Sequence, residues 1–284
     1  MKQKVLLVVV LIIMVLIWYI RRTSHYDDED QVQTIIDNQP LIWFTLINYG
    51  YIDFTKNFLE SMRRNNIKFK LLVYCLDDET IEGLKEYSDT CVCIRYDKGS
   101  SKELVTWQTP EFKKICFMRL DIIRDLMQTY KCNVGHIDTD IVLLKDPTPI
   151  VLNAMKNNPE IDVIAQCDEN GVKCTKHTSC PSFCNGVMLL KYSQSILKCF
   201  EYTEDEVNSS KNGDQDFLLG KFKKYGIKTL TIDKNIFING SYEGIQSGSP
   251  ATLPKEACLV HFNWMVGKDK VTRMKEQEMW YLDN

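Results

Sequence analysis

Two aspartates separated by one residue, Asp138 and Asp140, give the clearest chemical signal in the sequence. They follow the short apolar run 134–137, which suits a buried strand, and apolar character resumes at Ile141. Carboxylates at the end of a core strand are costly unless a cation compensates their charge. Two carboxylates at this spacing can hold a hard divalent cation and leave coordination positions for phosphate oxygens. The pattern therefore predicts a metal-assisted phosphate site, and a turn with two solvated aspartates is the competing interpretation.

Two cations, Lys114 and Arg119, stand shortly before this pair on a segment with helical spacing. An arginine there could hold one of the aspartates in place or contact a diphosphate, because its planar fork matches both groups. A surface cation on an amphipathic helix is the alternative. We predict that both residues help to bind an anionic ligand.

Polar residues also stand where later apolar runs and helices begin. Asn185 and Gly186 open an apolar run; a short amide can read sugar hydroxyls, and glycine permits a close approach. A simple turn before a strand would look the same. Asp214 and Gln215 stand at the start of a helical pattern, where an aspartate can also be a plain N-cap. These positions are candidates for ligand contacts.

A histidine and a lysine near the end of the chain complete the candidate set. His261 ends an apolar run and is either a packed core histidine or, with the two aspartates, the imidazole that makes a site suit Mn²⁺. Lys268, seven residues further on, could neutralise a leaving phosphate.

The elements that must position these residues alternate between strands and helices. Proline at the first position suits the helix that opens at Pro110. This order predicts right-handed crossovers and an α/β fold with an open, mainly parallel sheet, Rossmann-like in its first half. Ligands of such sheets bind at the carboxyl ends of the strands. The predicted strands are 41–47, 70–76, 91–96, 134–137, 163–166, 186–191, 228–232 and 259–262, and the predicted helices are 51–65, 80–87, 110–130, 193–207, 216–225 and 268–282.

The N-terminus carries an unbroken apolar run of 16 residues, Val5–Ile20, slightly shorter than the roughly 20 residues of a usual membrane-spanning helix. Trp18 and Tyr19 are typical interfacial aromatics, and two arginines end the run. A cleaved signal peptide and a buried core helix are the competing interpretations. We predict an N-terminal transmembrane helix, with the chain divided into a cytoplasmic tip and signal anchor (1–22), a short polar stem (23–40) and one catalytic domain (41–284).

Orientation of this anchor is not decided by charge, because two lysines precede the run and two arginines follow it. A short anchor suits the thin bilayers of the endoplasmic reticulum or the Golgi. We predict a single-pass type II membrane protein with a lumenal catalytic domain.

Charge excludes one class of partner. The chain of 284 residues has 35 Lys and Arg against 38 Asp and Glu, and four of the cations lie in residues 1–22. The remaining 31 cations leave residues 23–284 with a net charge of about −7. Phosphate contacts need a basic face, so we expect no nucleic-acid partner.

Four of the 11 cysteines cluster at Cys167, Cys174, Cys180 and Cys184. Disulfides in a lumenal loop and a zinc site are both compatible with this cluster, although only the last pair has a usual zinc spacing.

Taken together, these residues resemble the nucleotide-diphospho-sugar transferases of the GT-A fold, and the likeness covers residues 41–282. The chain is similar to plant arabinosyl- and xylosyltransferases, and to glycogenin-like and bacterial lipopolysaccharide galactosyltransferases. Each motif is weak alone, but their order is specific. After Arg119 come HIDTDIVLLKDP (136–147), FCNGVMLLK (183–191), GDQDFLL (213–219) and VHFNWMVGKDK (260–270).

The resemblance implies a role for each candidate residue. Metal binding, to Mn²⁺ or Mg²⁺, falls to Asp138, Asp140 and His261. Catalytic roles fall to Asp214, Gln215 and Lys268, with Lys270 as the alternative phosphate ligand. Contacts to the donor fall to Asn48, Tyr51, Lys114, Arg119, Asp138, Asn185 and Gly186.

The implied activity is that of a metal-dependent glycosyltransferase, hexosyl or pentosyl. It would move a sugar from a UDP-sugar to a glycan or glycoprotein acceptor with retention of anomeric configuration. Attack on the same face, with the departing phosphate as base, is the mechanism we favour. Two other interpretations stand: a haloacid-dehalogenase-type phosphatase that uses the motif DTDIV, and a non-catalytic sugar-nucleotide-binding relic.

Overall fold

The computed structural model describes residues 29–99, 102–169, 183–210 and 213–282. The chain divides into two compact units, Met1–Pro40 and Leu41–Asn284, and residues 29–38 of the first are helical. Within the described ranges, no helix is both long enough and apolar enough to cross a membrane. The run Val5–Ile20 lies outside those ranges, so the predicted anchor stays a prediction.

A seven-stranded sheet is the centre of the second unit. Its strands are β1 (Ile42–Ile47), β2 (Leu71–Cys75), β3 (Cys91–Arg95), β4 (Val134–Ile137), β6 (Val163–Cys167), β7 (Phe183–Leu190) and β8 (Thr229–Ile232), in the order β3-β2-β1-β4-β7-β6-β8. The first four strands in that order run parallel, whereas β7 is antiparallel to both of its neighbours. The prediction of an α/β fold with a mainly parallel sheet is therefore confirmed.

Helices flank these strands, and four of those named here begin at a residue whose side chain caps the helix: Asp77, Thr109, Ser193 and Thr203. The flanking helices are α1 (Ile52–Arg64), α2 (Asp78–Gly83), α3 (Pro110–Tyr130), α4 (Thr148–Asn157), α5 (Gln194–Cys199), α6 (Glu204–Ser209), α7 (Asp214–Tyr225) and α8 (Lys268–Glu276), with 3₁₀ turns at Tyr49–Tyr51 and Lys85–Tyr87. The helix predicted over 193–207 is two helices, because Thr203 caps the backbone N–H of Glu206 and so starts a new helix. Helix α4 was not predicted.

A second, three-stranded sheet lies beside the first and brings the end of the chain to the aspartate pair. It consists of β5 (Ile141–Leu143), β10 (Leu259–His261) and β9 (Phe237–Asn239), in the order β5-β10-β9. The antiparallel pairing of β10 with β5 sets His261 opposite Ile141, the residue after Asp140. Strands β5 and β9 were not predicted, because three residues are too few to show an alternating pattern.

A register shift between β6 and β7 opens the large sheet at one point. Ala165 pairs with Met188 but Gln166 pairs with Cys184, so the three residues between these partners have no partner on β6. Two of the three are Asn185 and Gly186. Irregularities of this kind re-aim side chains beside functional sites.

Two apolar clusters stand out among the residues that the structure describes. A large cluster that includes Trp43, Phe58 and Leu189 packs around the large sheet. A smaller cluster around Val260 and Phe262 supports the small sheet. The residues that follow the strands of both sheets are thus supported by a well-packed apolar core.

Candidate active site at the carboxyl edge of the sheet

A cavity of about 650 Å³ opens where the carboxyl ends of β1 and β4 meet the ends of β7 and β10. It gathers residues from segments that are far apart in the chain. The predicted site residues that line it are Asn48, Tyr51, Arg119, Asp138, Asp140, Asn185, Gly186, Asp214, Gln215 and His261. Lys114 and Lys268 are not among its lining residues.

Asp138, Asp140 and His261 form a compact group that could hold a metal ion, with ligand atoms that all lie within 4.8 Å of one another. His261 Nε2 is 3.1 Å from Asp140 Oδ1 and 3.8 Å from Asp138 Oδ2. Carboxylate oxygens suit hard divalent cations, and an imidazole nitrogen adds preference for a transition metal. The donor set therefore fits Mn²⁺ and, less selectively, Mg²⁺.

Attraction between opposite charges holds these side chains together even without a metal. Burial opposes charge on Asp140, but Lys270 and His261 outweigh it and hold the pKa of Asp140 well below its ordinary value. Burial likewise opposes charge on His261, but the neighbouring Asp140 carboxylate raises its pKa well above the usual range. Burial raises the pKa of Asp138 despite the nearby Arg119. The site thus concentrates negative charge that cations must balance.

Lys270, not Lys268, reaches this group. The Lys270 ammonium donates a hydrogen bond to Asp140 and lines the cavity, whereas Lys268 is exposed. Both residues lie in the first turn of α8, and two residues along a helix turn a side chain by about 200°. The two lysines therefore cannot face the cavity together.

Arg119 occupies the middle of an anionic pair at the back of the cavity. Its Nη1 donates to Asp138 Oδ1 at 3.1 Å, and its Nε and Nη2 donate to Asp214 Oδ2 at 2.9 and 2.5 Å. Burial opposes its charge, yet Asp214 and Asp138 raise its pKa well above the ordinary value. Of the two roles predicted for Arg119, the contacts show the one that holds an aspartate in place.

Asn185 and Gly186 sit where the register shift opens the sheet. Asn185 is 3% exposed, and neither atom of its side-chain amide has a hydrogen-bond partner in the described part of the chain. Buried polar atoms are costly to leave unpaired, so this amide is poised for a ligand. At Gly186 an added Cβ would lie 2.3 Å from His261 Cε1 and 2.6 Å from Asp138 Oδ2. Only glycine lets the strand pass so close to these two candidate metal ligands.

Asp214 and Gln215 begin α7, and Gly213 takes the N-cap position in place of an aspartate. The carboxylate of Asp214 is engaged by Arg119 as described. Gln215 Oε1 accepts from the backbone N–H of Asn185 at 3.4 Å, and its Nε2 donates to Asp168 Oδ2 at 3.2 Å. The two predicted residues therefore face different partners.

Asp168 lines the cavity and was not predicted. Its second oxygen accepts from Asn263 Nδ2 at 3.1 Å, so two amides hold its carboxylate. It directly follows β6, as Asp138 follows β4. The end of a buried apolar run was the available signal, but a single aspartate there carries little information by itself.

The first strand-to-helix connection supports the other side of the cavity. Asn48 Nδ2 donates to the carbonyl of Glu103 at 2.9 Å, and the Tyr51 hydroxyl donates to the carbonyl of Val105 at 3.0 Å. Burial, with the charge of Asp140, raises the pKa of Tyr51 well above its ordinary value, so the phenol stays protonated. Lys114 is exposed and donates to the carbonyl of Gly99 at 3.1 Å, away from the lining residues.

The cysteine cluster is described at its two ends. Cys167 is disulfide-bonded, and Cys184 is a buried free thiol. Cys174 and Cys180 lie outside the described residues. Cys184 also lines the cavity, beside Asn185.

Known proteins share a sequence pattern with this chain. The pattern of the family described as nucleotide-diphospho-sugar transferase matches residues 67–274. No protein with a curated description matches the chain in sequence.

Three solved structures share the fold at low sequence identity. Mouse xyloside xylosyltransferase 1 in its apo form is 12% identical with a TM-score of 0.51, over 78% of this chain and 97% of that one. The glycosyltransferase GlyE of Streptococcus pneumoniae is 18% identical with a TM-score of 0.54, over 86% and 61%. The galactosyltransferase LgtC with donor and acceptor sugar analogs is 12% identical with a TM-score of 0.50, over 84% and 95%. At these identities the likeness shows the fold alone.

Proposed function

We propose that this chain, which belongs to the nucleotide-diphospho-sugar transferase family, moves a sugar from a UDP-sugar donor to a glycan or glycoprotein acceptor. The observation that carries the proposal is the group Asp138, Asp140 and His261 at the wall of a 650 Å³ cavity. That group stands at the carboxyl edge of the sheet, where open α/β folds bind their ligands. The cavity is large enough for a small organic ligand.

The three residues of this group would hold a divalent cation, for which we propose Mn²⁺, with Mg²⁺ as the alternative. When bound, the ion supplies positive charge to the diphosphate leaving group. Asp138 and Asp140 contribute hard oxygen ligands, and His261 contributes the nitrogen that favours a transition metal. Arg119 keeps Asp138 in position through the hydrogen bond described above.

Lys270 is the residue we propose to hold the donor phosphate. Its ammonium already lies beside Asp140 at the cavity wall, whereas Lys268 faces solvent. The Lys270 ammonium would be free to turn from Asp140 to the donor phosphate once that carboxylate has another cation to balance it. There it would stabilise the charge that develops on the leaving phosphate.

The donor sugar would lie against Asn185, Asp214 and Gln215. The unpaired amide of Asn185 offers a donor and an acceptor to sugar hydroxyls. We place the base and ribose at the opposite wall, near Asn48 and Tyr51.

Retention of configuration, with attack on the same face, remains our proposal for the stereochemistry. Asp214 is tied to Arg119, Gln215 is a poor nucleophile, and Asp216 is exposed and outside the cavity lining. These contacts leave the departing phosphate as the base for the acceptor hydroxyl. A covalent glycosyl-enzyme trapped on Asp214 would overturn this mechanism.

The type II anchor and a lumenal, Golgi or endoplasmic reticulum location are proposed from the sequence.

The experiment is a screen of nucleotide sugars with Mn²⁺ for release of free nucleoside diphosphate by the full-length protein. Asp140→Asn is the test variant, and Asp205→Asn, an exposed carboxylate on α6, is the matched control. Slow hydrolysis of one donor that disappears in Asp140→Asn and with chelator would support the proposal and name the sugar.

Two other outcomes decide between the alternatives. If UDP with metal raises the melting temperature but no donor is hydrolysed, the protein is either an acceptor-dependent enzyme or a non-catalytic relic. Added glycan acceptors distinguish the two, because only the enzyme would then release nucleoside diphosphate. Turnover of p-nitrophenyl phosphate with no response to any nucleotide would sink the transferase proposal in favour of a phosphatase.

A further inference from the structure

We propose that Gln166 is a positioning residue that fixes the imidazole of His261 with Nε2 toward the aspartates, and so sets the affinity of the site for its divalent cation. The inference rests on the metal-binding part of the proposed function. It does not depend on the sugar, the base or the acceptor. Gln166 is 0% exposed and was not among the residues the sequence suggested.

The orientation of the Gln166 amide follows from its backbone partners. Its Nε2 lies 3.3 Å from the carbonyl oxygen of Phe237 and 3.0 Å from that of Ile238. Carbonyl oxygens only accept hydrogen bonds, so the nitrogen end of the amide must face them. The amide oxygen, Oε1, is thereby turned toward His261.

This orientation decides which nitrogen of His261 keeps its proton in the neutral imidazole that binds a cation. Oε1 lies 2.7 Å from His261 Nδ1, and an amide oxygen can only accept. Nδ1 therefore carries the hydrogen and donates it. The lone pair of the neutral imidazole is then on Nε2, the atom that lies 3.1 Å from Asp140 Oδ1 on the metal side.

The competing partner of Nδ1 is weaker. The Cys184 sulfur lies 3.8 Å from Nδ1, and a thiol is a poor acceptor. The same sulfur also receives the backbone N–H of Gly186 at 3.4 Å and the Asn263 amide at 3.6 Å. Gln166 is thus the principal partner that orients the ring.

The backbone places Gln166 for this task. It stands at the register shift of β6, in the large sheet, whereas His261 ends β10 in the small sheet. Its two carbonyl partners belong to β9, the neighbour of β10. One buried amide therefore links three strands, β6, β9 and β10. Through it, the position of the His261 imidazole is fixed relative to both sheets.

A metal-affinity measurement tests the inference, since loss of such a partner typically costs about 10–100-fold in metal affinity. Mn²⁺ is titrated into the full-length protein with and without UDP, and the free aquo ion is followed by electron paramagnetic resonance. Gln166→Met keeps the side-chain length and removes both the acceptor and the donors. We expect a 10–100-fold weaker Mn²⁺ affinity and a smaller loss for Mg²⁺, which depends less on the imidazole.

Asn239→Leu is the matched control. Asn239 Nδ2 donates to the carbonyl of Cys167 at 3.0 Å, so it also joins β9 to β6 through a buried amide. Its Oδ1 accepts from Ser241 rather than from the imidazole, and the residue is outside the cavity lining. Equal loss of Mn²⁺ affinity in both variants would mean that the affinity depends on the junction between the sheets and not on the orientation of the imidazole. That result would overturn the inference.

Gln166→Glu supplies the rescue, because it retains an oxygen toward Nδ1 and loses the donors to β9. We expect lower thermal stability with Mn²⁺ affinity close to that of the wild type. Unchanged Mn²⁺ affinity in Gln166→Met would contradict the inference.

A measurement on the wild type covers the case in which Gln166→Met does not fold. With diamagnetic Mg²⁺ bound, the imidazole ¹⁵N spectrum should show a protonated Nδ1 on His261, and a bare Nδ1 would overturn the assignment. Mn²⁺ binding that depends on Gln166, in a protein that neither hydrolyses a sugar nucleotide nor transfers its sugar to added glycan acceptors, would sink the proposed function and leave this inference standing.

Discussion

At the scale of single residues, the candidate metal-binding group of Asp138, Asp140 and His261 depends on a position with no side chain. Gly186 passes between His261 and Asp138, and a methyl group at this position would overlap His261 Cε1 and Asp138 Oδ2. Both neighbours are held by hydrogen bonds, so neither can yield freely.

Gly186→Ala should therefore weaken Mn²⁺ binding by about 10–100-fold, the range seen when groups around metal ligands are disturbed. Gly220→Ala is the control, because a Cβ at Gly220 in α7 meets nothing within 4 Å. That change should leave metal binding intact and add up to about 1 kcal/mol of stability from helix propensity. Calorimetric titration with Mn²⁺ measures the first effect, and equal affinities for the two variants would contradict the expectation.

The two lysines of α8 make a second test at this scale. Lys270→Met should reduce donor hydrolysis by about 10²–10³-fold, the cost of losing a group that stabilises a developing anion. Lys268→Met should stay close to the wild type because Lys268 faces solvent. Metal binding in Lys270→Met should be no weaker than in the wild type, since the lysine competes with the ion for Asp140. A larger loss of hydrolysis in Lys268→Met would reverse the assignment.

At the scale of elements, short capping motifs decide where helices begin. The sequence pattern predicts one helix over 193–207, but Thr203 and Glu206 form a capping box that starts α6 after a break. Apolar spacing continues across the break, which is why periodicity alone does not show it.

Thr203→Ala should lower the free energy of unfolding by about 0.5–2 kcal/mol, the usual value of an N-cap. Thr272→Ala, an exposed change inside α8, is the control and should be neutral or slightly stabilising. Urea unfolding of both variants measures the difference. Equal midpoints would mean that the capping box does not support α6.

At the scale of the whole molecule, we expect metal binding to join the two sheets, because the aspartates follow a strand of the large sheet and His261 ends a strand of the small one. A ligand that binds only the folded state stabilises it by mass action.

Mn²⁺ at about 100 times its dissociation constant should raise the free energy of unfolding by about 2.7 kcal/mol. Chelator should remove this gain, and Asp140→Asn should not show it. Thermal unfolding with and without the ion measures the effect, with Asp205→Asn as the variant that keeps it. If Mn²⁺ does not change the melting temperature of the wild type, the proposed function cannot include this metal.

Much of the fold was predictable from local pattern. The helix at 110–130 and the strand at 134–137 have the predicted bounds. Proline at a helix start is a strong local signal for the first, and a short apolar run bounded by polar residues is one for the second. Strands β5 and β9 and helix α4 were not predicted. Three residues show no period, whereas Ile150, Val151, Ala154 and Met155 of α4 do have helical spacing that the prediction did not use.

The candidate residue types could be identified from the chain alone: the aspartate pair after a buried strand, the asparagine and glycine within β7, and the histidine that ends β10. Which of them meet depends on the fold. Lys270 rather than Lys268 lines the cavity because a helix presents only one of the two to it, and Asp168 and Gln166 are placed by hydrogen bonds to partners more than 40 residues away. Spacing along a chain fixes direction within one element, but distance between elements is set by sheet pairing and register, which no local pattern contains.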